Sequence, residues 1–167
     1  MDCRFRMIMN PEGLDAVRKI ADTIWPVTFR EILSPEQIAY MMRMMYAPEV
    51  MEAEFARGVY FEIIVIDGKD AGYISYEHLA ECGDLVKLHK IYLLQEYQHR
   101  GYGSAMLRHV MLEARQMGAK RLRLNVNKHN EKAIAAYRRN GFSTVESVVN
   151  PIGNGFVMDD FVMEKML

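Results

Sequence analysis

The 167-residue sequence has only two cysteines, Cys3 and Cys82. Two thiols so far apart make no disulfide framework, and no C-x-x-C or similar spacing offers a metal site. Net charge is nearly absent as well, because 21 basic and 22 acidic side chains leave −1. That excludes the broad basic field that draws proteins to nucleic acid or to an anionic membrane, so a charged ligand must be held by a local arrangement. No stretch comes near the ~18–20 consecutive apolar residues of a membrane span. The opening "MDCRFRMIMN" lacks the apolar run of a secretory signal. The expected setting is cytoplasmic, with no membrane, nucleic-acid or metal partner. Neither repeats nor a linker interrupt the chain, and one domain over 1–167 is expected.

What is present is an ordinary globular composition, half apolar and 26% charged. "CRFRMIMN" alternates like a strand ending at Asn10-Pro11. "PEGLDAVRKIADTIW" spaces Leu14, Val17, Ile20, Ala21 and Ile24 as one helical face. "SPEQIAYMMRMMY" opens with Ser34 as cap and Pro35 at the first helical position. "PEVMEAEFARG" offers a shorter third helix stopped by Gly58. Fourteen methionines, several in "AYMMRMMYAPEVM", read as core filler more readily than as a flexible binding surface. Then the pattern changes. Asp67-Gly68 joins two strand-like runs as a hairpin, and "DLVKLHKIYLL" is a further strand. "GSAMLRHVMLEARQMG" is an amphipathic helix, "KRLRLNV" a strand, and "NEKAIAAYRRNGF" a helix capped by Asn130 and ended by Gly141. "STVESVV" and "DDFVMEKML" close the chain as two strands around "NPIGNG". The fold class is mixed α/β, in the order β-α-α-β-β-β-α-β-α-β-β.

The segment "YQHRGYGSAML", Tyr97–Leu107, sets two glycines where a strand hands over to a helix. Each glycine inside a helix costs about 1 kcal/mol. Their presence there suits a phosphate resting on main-chain N–H groups at a helix N-terminus, where the helix dipole also favours negative charge. A ligand-free glycine turn is the alternative. A dinucleotide fingerprint fails at Met106, and a Walker loop fails because Ser104 follows Gly103 directly.

Gln98, Arg100, Gly101, Tyr102 and Gly103 follow the Q/R-x-x-G-x-G/A pattern after a strand. Asn130, Ala133, Tyr137, Gly141 and Phe142 follow N-x-x-A-x-x-x-Y-x-x-x-G-F. Two spaced motifs in this structural order resemble the GCN5-related N-acetyltransferase (GNAT) family. The resemblance implies a mostly antiparallel twisted sheet of six to seven strands with about four flanking helices, and an acetyl-coenzyme A core over 84–142. It implies direct transfer of acetyl from acetyl-coenzyme A to an amine. The N–H groups of Arg100, Gly101, Tyr102, Gly103 and Ser104, with His99, would bind the pyrophosphate. Ile91 and Leu93 would run alongside the pantetheine arm, with the Leu93 N–H as oxyanion donor. Asn130, Lys132 and Ala133 would lie near the cofactor's far arm, although capping and solvent exposure explain the first two equally well. Tyr137 would face the sulfur as a general acid, its alternative being a core tyrosine.

The acceptor amine must lose a proton. With pKa about 10.4 only about one molecule in 10³ is neutral at pH 7, a handicap of roughly 4–5 kcal/mol. Strand alternation places Lys87, His89, Ile91 and Leu93 on one face, which makes His89 a candidate base; a bulge would reverse that parity, and a satisfied strand histidine is the alternative. Glu77, His78 and Glu81 are further candidates. Trp25, Phe29 and Tyr40 serve either as an apolar acceptor cleft or as core. Asp159, Asp160, Glu77 and Glu81 offer charge to a cationic substrate. The early and closing regions are loosely similar to bacterial polyamine-type acetyltransferases, so the expected acceptor is a small primary amine. A protein amino terminus or lysine, or a coenzyme A-binding module without turnover, are the other readings. The family often dimerises through edge strands, so the resemblance admits a homodimer.

Overall fold

The computed structural model describes residues 2–167, with only the main chain at Ala80. Among the described residues, seven strands and five α-helices follow one another as β1 (Cys3–Met7), α1 (Leu14–Thr28), α2 (Pro35–Tyr46), α3 (Pro48–Arg57), β2 (Tyr60–Ile66), β3 (Lys69–Leu79), β4 (Leu85–Leu93), α4 (Tyr102–Gln116), β5 (Arg121–Asn127), α5 (Glu131–Arg139), β6 (Ser143–Gly153) and β7 (Phe156–Met166). The hydrogen-bonded strand order is β1-β2-β3-β4-β5-β7-β6. β4 and β5 run parallel, pairing Leu85–Leu88 with Arg121–Leu124, whereas β1–β2, β2–β3, β5–β7 and β6–β7 are antiparallel.

The expected mixed sheet is therefore present, with one helix more than the expected order carried. Two boundaries also move. The first helix runs through Pro26 to Thr28 rather than ending at Trp25. In the last turn a proline forfeits little more than one hydrogen bond, and Phe29 N–H still reaches Trp25 O. The closing strands lengthen to 11 residues each, because Asn154 and Gly155, both at positive φ, make a two-residue turn that the ladder can follow closely. Pro151 is accepted within β6 because that strand lies at the edge of the sheet.

The chain forms two compact units. The first comprises residues to Glu77 together with Lys90–Met106. Its core takes the apolar stripe of α1, with Leu14, Val17, Ile20, Ala21, Ile24 and Trp25 buried. Each large aliphatic side chain so buried contributes about 1.5–3 kcal/mol. An aromatic cluster joins this stripe. Trp25 Nε1 donates to the Tyr46 hydroxyl at 3.0 Å, and that hydroxyl lies 2.6 Å from Tyr73's. Tyr92 stands against Trp25, Phe29 and Tyr73, with ring centroids 5.5–6.3 Å apart. Trp25 and Phe29 are thus core rather than cleft. Met41 and Met51 are buried filler, while Met42, Met44 and Met45 are half-buried.

One glycine of this unit holds two strands together. A Cβ on Gly72 of β3 would collide with the Tyr92 carbonyl oxygen and lie 3.1 Å from Leu93 Cα. The end of β4 passes so close over β3 that only glycine fits, next to a register shift at Ile64/Val65. Replacing Gly72 with alanine is expected to destabilise the protein by about 1–3 kcal/mol through overpacking. Chemical denaturation reads this directly, and an unchanged midpoint would refute the close approach.

The second unit comprises His78–His89 and Leu107–Leu167. Leu122, Leu124 and Val126 bury one face of β5. On the other face, Arg121 bridges Asp84 (3.0 Å) and Glu164 (3.4 Å), and Arg123 Nε donates to Glu164 at 2.6 Å.

Candidate active site

The site residues divide between the two units. The first holds Ile91, Leu93 and the run Gln98–Ser104; the second holds His89, Asn130, Lys132, Ala133 and Tyr137.

In the first unit the turn after β4 is tied back on itself. Tyr97 N–H donates to Leu94 O, Gln98 N–H to Gln95 O, and the Gln98 side-chain amide to Leu93 O at 3.0 Å. Gln98 is thereby a brace between the loop and the end of β4. His99 (φ +61°) and Gly101 (φ +85°) both adopt left-handed backbone. For His99 that costs roughly 1–2 kcal/mol, a strain typical of ligand-holding loops. Arg100 covers the Tyr102 ring at 5.7 Å and donates to Glu96 O.

α4 then begins at Tyr102, and Ala105 N–H bonds to Gly101 O as the helix starts. A helix gives its first N–H groups no acceptor of its own, and its dipole adds positive potential there. A Cβ at Gly101 or at Gly103 would meet nothing within 4 Å. Packing therefore does not explain Gly103, although the positive φ explains Gly101. Open space beside helix-start N–H groups suits a pyrophosphate, so this loop fits the acyl donor that the resemblance implies.

β4 shows the alternation expected of it. Val86, Leu88 and Lys90 are buried, while Lys87, His89, Ile91 and Leu93 are half-buried, so no bulge reverses the parity. Among the described residues the ladder with β5 ends at Leu88–Leu124, although both strands continue. The inward lysine went unread in the sequence. Lys90 is 4% exposed, 3.5 Å from Glu54 of α3, and lies over the Tyr46 and Phe61 rings at 5.4 and 5.8 Å. Burial lowers its pKa, and Glu54 opposes that. Lysines are almost never buried unless paired, and this pair anchors β4 from the side away from His89.

Of the alternative bases, Glu77 is engaged by Arg57 at 3.2 Å and His78 Nε2 lies 3.0 Å from Gly83 O, while Glu81 is exposed. In the second unit Asn130 caps α5, its side-chain oxygen accepting from Ala133 N–H at 3.4 Å. Lys132 is exposed. Tyr137 is half-buried with its ring 5.9 Å from Phe142, and burial pushes its phenol well above the ordinary value. Among the described residues no helix is long and apolar enough to cross a membrane.

A braced strand–turn–helix loop in the first unit and, in the second, a strand parallel to β4 and a capped helix bearing a tyrosine are the elements that carry the two sequence motifs. Residues 14–142 match the family model described as the acetyltransferase (GNAT) family, and the chain belongs to that family. It is accordingly an N-acetyltransferase, with acetyl-coenzyme A as acyl donor. Spermidine N(1)-acetyltransferase of Thermoplasma acidophilum is 27% identical over 162 residues, covering 94% of this chain and 93% of the relative. An uncharacterised N-acetyltransferase of Lactobacillus delbrueckii subsp. lactis is 27% identical over 146 residues, 84% of each chain. Among solved structures, the PaiA N-acetyltransferase from Thermoplasma acidophilum in complex with coenzyme A superposes with a TM-score of 0.83 at 25% identity, over 100% of both chains.

Proposed function

We propose that this enzyme acetylates a primary amine of a small cationic molecule of the polyamine type. The observation that carries the reading is the likeness to a spermidine acetyltransferase over 94% of the chain. That span reaches well beyond residues 84–142, taking in the early helices and closing strands where acceptors are selected.

Acetyl-coenzyme A, when bound, supplies an activated thioester. The residues of this chain do the rest. N–H groups at the start of α4, from Arg100 to Ser104, hold the pyrophosphate, with Gly101 and Gly103 leaving the main chain bare. The main chain of Ile91 and Leu93, beyond the β4–β5 ladder, binds the pantetheine arm. The Leu93 N–H stabilises the charge that develops on the acyl oxygen, and the Gln98 bond to the same residue's carbonyl holds that segment in place. Asn130, Ala133 and Lys132 border the cofactor's distal arm.

His89, on the outward face of β4, accepts the amine proton. His89→Ala is therefore expected to lower the acetylation rate at neutral pH about 10²-fold while coenzyme A still binds. A rate identical to wild type would assign the base elsewhere.

The reading is tested by thiol release from acetyl-coenzyme A across polyamines, amino sugars, amino acids and short peptides. Preferential turnover of polyamines supports it, and preferential turnover of peptides would replace it with a protein acetyltransferase. Tight coenzyme A binding without turnover of any amine would replace it with a regulatory module.

A further inference from the structure

Among the described residues, one buried carboxylate of the second unit makes no ion pair. Asp160 on β7 is 4% exposed and stands directly opposite Asn127 of β5 and Val148 of β6. A buried carboxylate is tolerated when a cation pairs with it or when it keeps its proton. Lys128, beside it, is instead ion-paired with Asp159. The groups that face Asp160 are Lys87 from β4, acting through charge at longer range, and the neutral amide of Asn125 from β5, which hydrogen-bonds it. Burial first, and then Asp159, hold its carboxyl above the usual range, against the opposing pull of Lys128, Lys87 and Asn125.

Its position matters as much as its burial. In open parallel α/β sheets, ligands bind beyond the carboxyl ends of the strands, and β4 and β5 form a parallel pair of that sort here. Asn125–Asn127 is that end of β5, just past the last pair with β4, and Asp160 is in register with it. Direct cross-strand partners share a face, so Lys87–Arg123, Arg123–Glu164, Asn125–Val162 and Asn127–Asp160 place Lys87, Asn125 and Asp160 on one side of the sheet. His89 continues the Lys87 row. This buried carboxylate thus shares the face of the proposed base.

We propose that Asp160 is the subsite for a second ammonium of the acceptor, the one that is not acetylated, so that the enzyme prefers diamines and polyamines to monoamines of equal length. This rests on the polyamine-type reading above. The amine that attacks must be neutral, whereas a second ammonium keeps its charge and brings the missing counter-ion. It is held by charge-assisted hydrogen bonds to the carboxylate.

The test compares 1,4-diaminobutane with butylamine on coenzyme A-loaded protein, by calorimetry and by initial acetylation rates. Wild type is expected to bind the diamine at least about tenfold more tightly. Asp160→Asn removes that ratio and leaves butylamine affinity unchanged. Lys87→Met, on a half-exposed strand position, strips a competing cation from the same face and increases the ratio. A ratio that survives in Asp160→Asn, or an equal loss for both amines, overturns the subsite. Should Asp160→Asn fail to fold, an unchanged ratio in Lys87→Met overturns it equally. If wild type acetylates both amines with no preference, the subsite falls and the small-amine reading stands. If diamine binding depends on Asp160 but no amine is acetylated, the reverse holds. If neither amine binds, both fall.

Discussion

Tyr137→Phe is expected to lower turnover about 10²-fold, within the range usual for a positioned proton-bearing group. On the proposal that its hydroxyl serves the reacting state rather than cofactor binding, the dissociation constant for coenzyme A should stay within about twofold. An ordinary phenol has pKa about 10 and an ordinary thiol about 8.5, so handing over the proton is uphill by about 2 kcal/mol. Burial raises the Tyr137 phenol further and makes full transfer harder still. The hydroxyl is therefore expected to donate a hydrogen bond to the departing thiolate and keep its proton. Two measurements follow from the sign of this shift. The pH–rate profile should show no falling limb from Tyr137 up to about pH 10, the ordinary phenol value. Stability should fall as pH rises above that value, since the unfolded chain ionises there while the folded tyrosine remains protonated. A mutant with near-normal turnover would remove Tyr137 from the chemistry.

Gly103→Leu is expected to separate binding from folding. Glycine is poorer than leucine in a helix by roughly 0.5–1 kcal/mol, and the position is open, so the thermal midpoint should hold or rise. Coenzyme A affinity should nevertheless fall at least about 100-fold, or about 2.8 kcal/mol at about 1.4 per tenfold, because the side chain fills the space where, in the proposed site, main chain meets pyrophosphate. Calorimetric titration beside a melting curve checks both halves. Unchanged affinity would make Gly103 an ordinary helix residue and move the phosphate site elsewhere. Loss of affinity together with loss of the fold would contradict the open space beside it.

The parts of the site that sequence disclosed are those with local chemistry. Gly101 advertises a left-handed backbone, Asn130 a helix cap, and the pairing of these two motifs a shared cofactor. Alternation along β4 groups His89 with Lys87, Ile91 and Leu93, and the same count sets Lys90 on the opposite, buried face, so the pair with Glu54 was there to be read. It escaped because lysine carries a strong expectation of solvent. Gly72 was not legible at all. Its constraint comes from the Tyr92–Leu93 main chain arriving from about 20 residues further along, and no local pattern announces such an approach. Trp25 and Phe29 were ambiguous for a related reason, since an aromatic helix face looks the same whether it meets a substrate or Tyr46, Tyr73 and Tyr92. Asp160 was visible as an acid, but that it makes no ion pair among the described residues depends on Lys128 pairing with Asp159.

The hydrogen bond from Trp25 to Tyr46 has an optical consequence. Trp25 is the only tryptophan of the sequence, and it is sealed within the first unit against the rings of Tyr46, Tyr92 and Phe29. Its fluorescence therefore belongs to one unit alone, excited directly and by energy passed from neighbouring phenols. During denaturation, emission would follow the loss of that aromatic cluster. Far-ultraviolet circular dichroism, to which α5 and β5–β7 also contribute, would follow the whole chain. Coincidence of the two curves would make the units a single cooperative body, and their separation would give each its own stability.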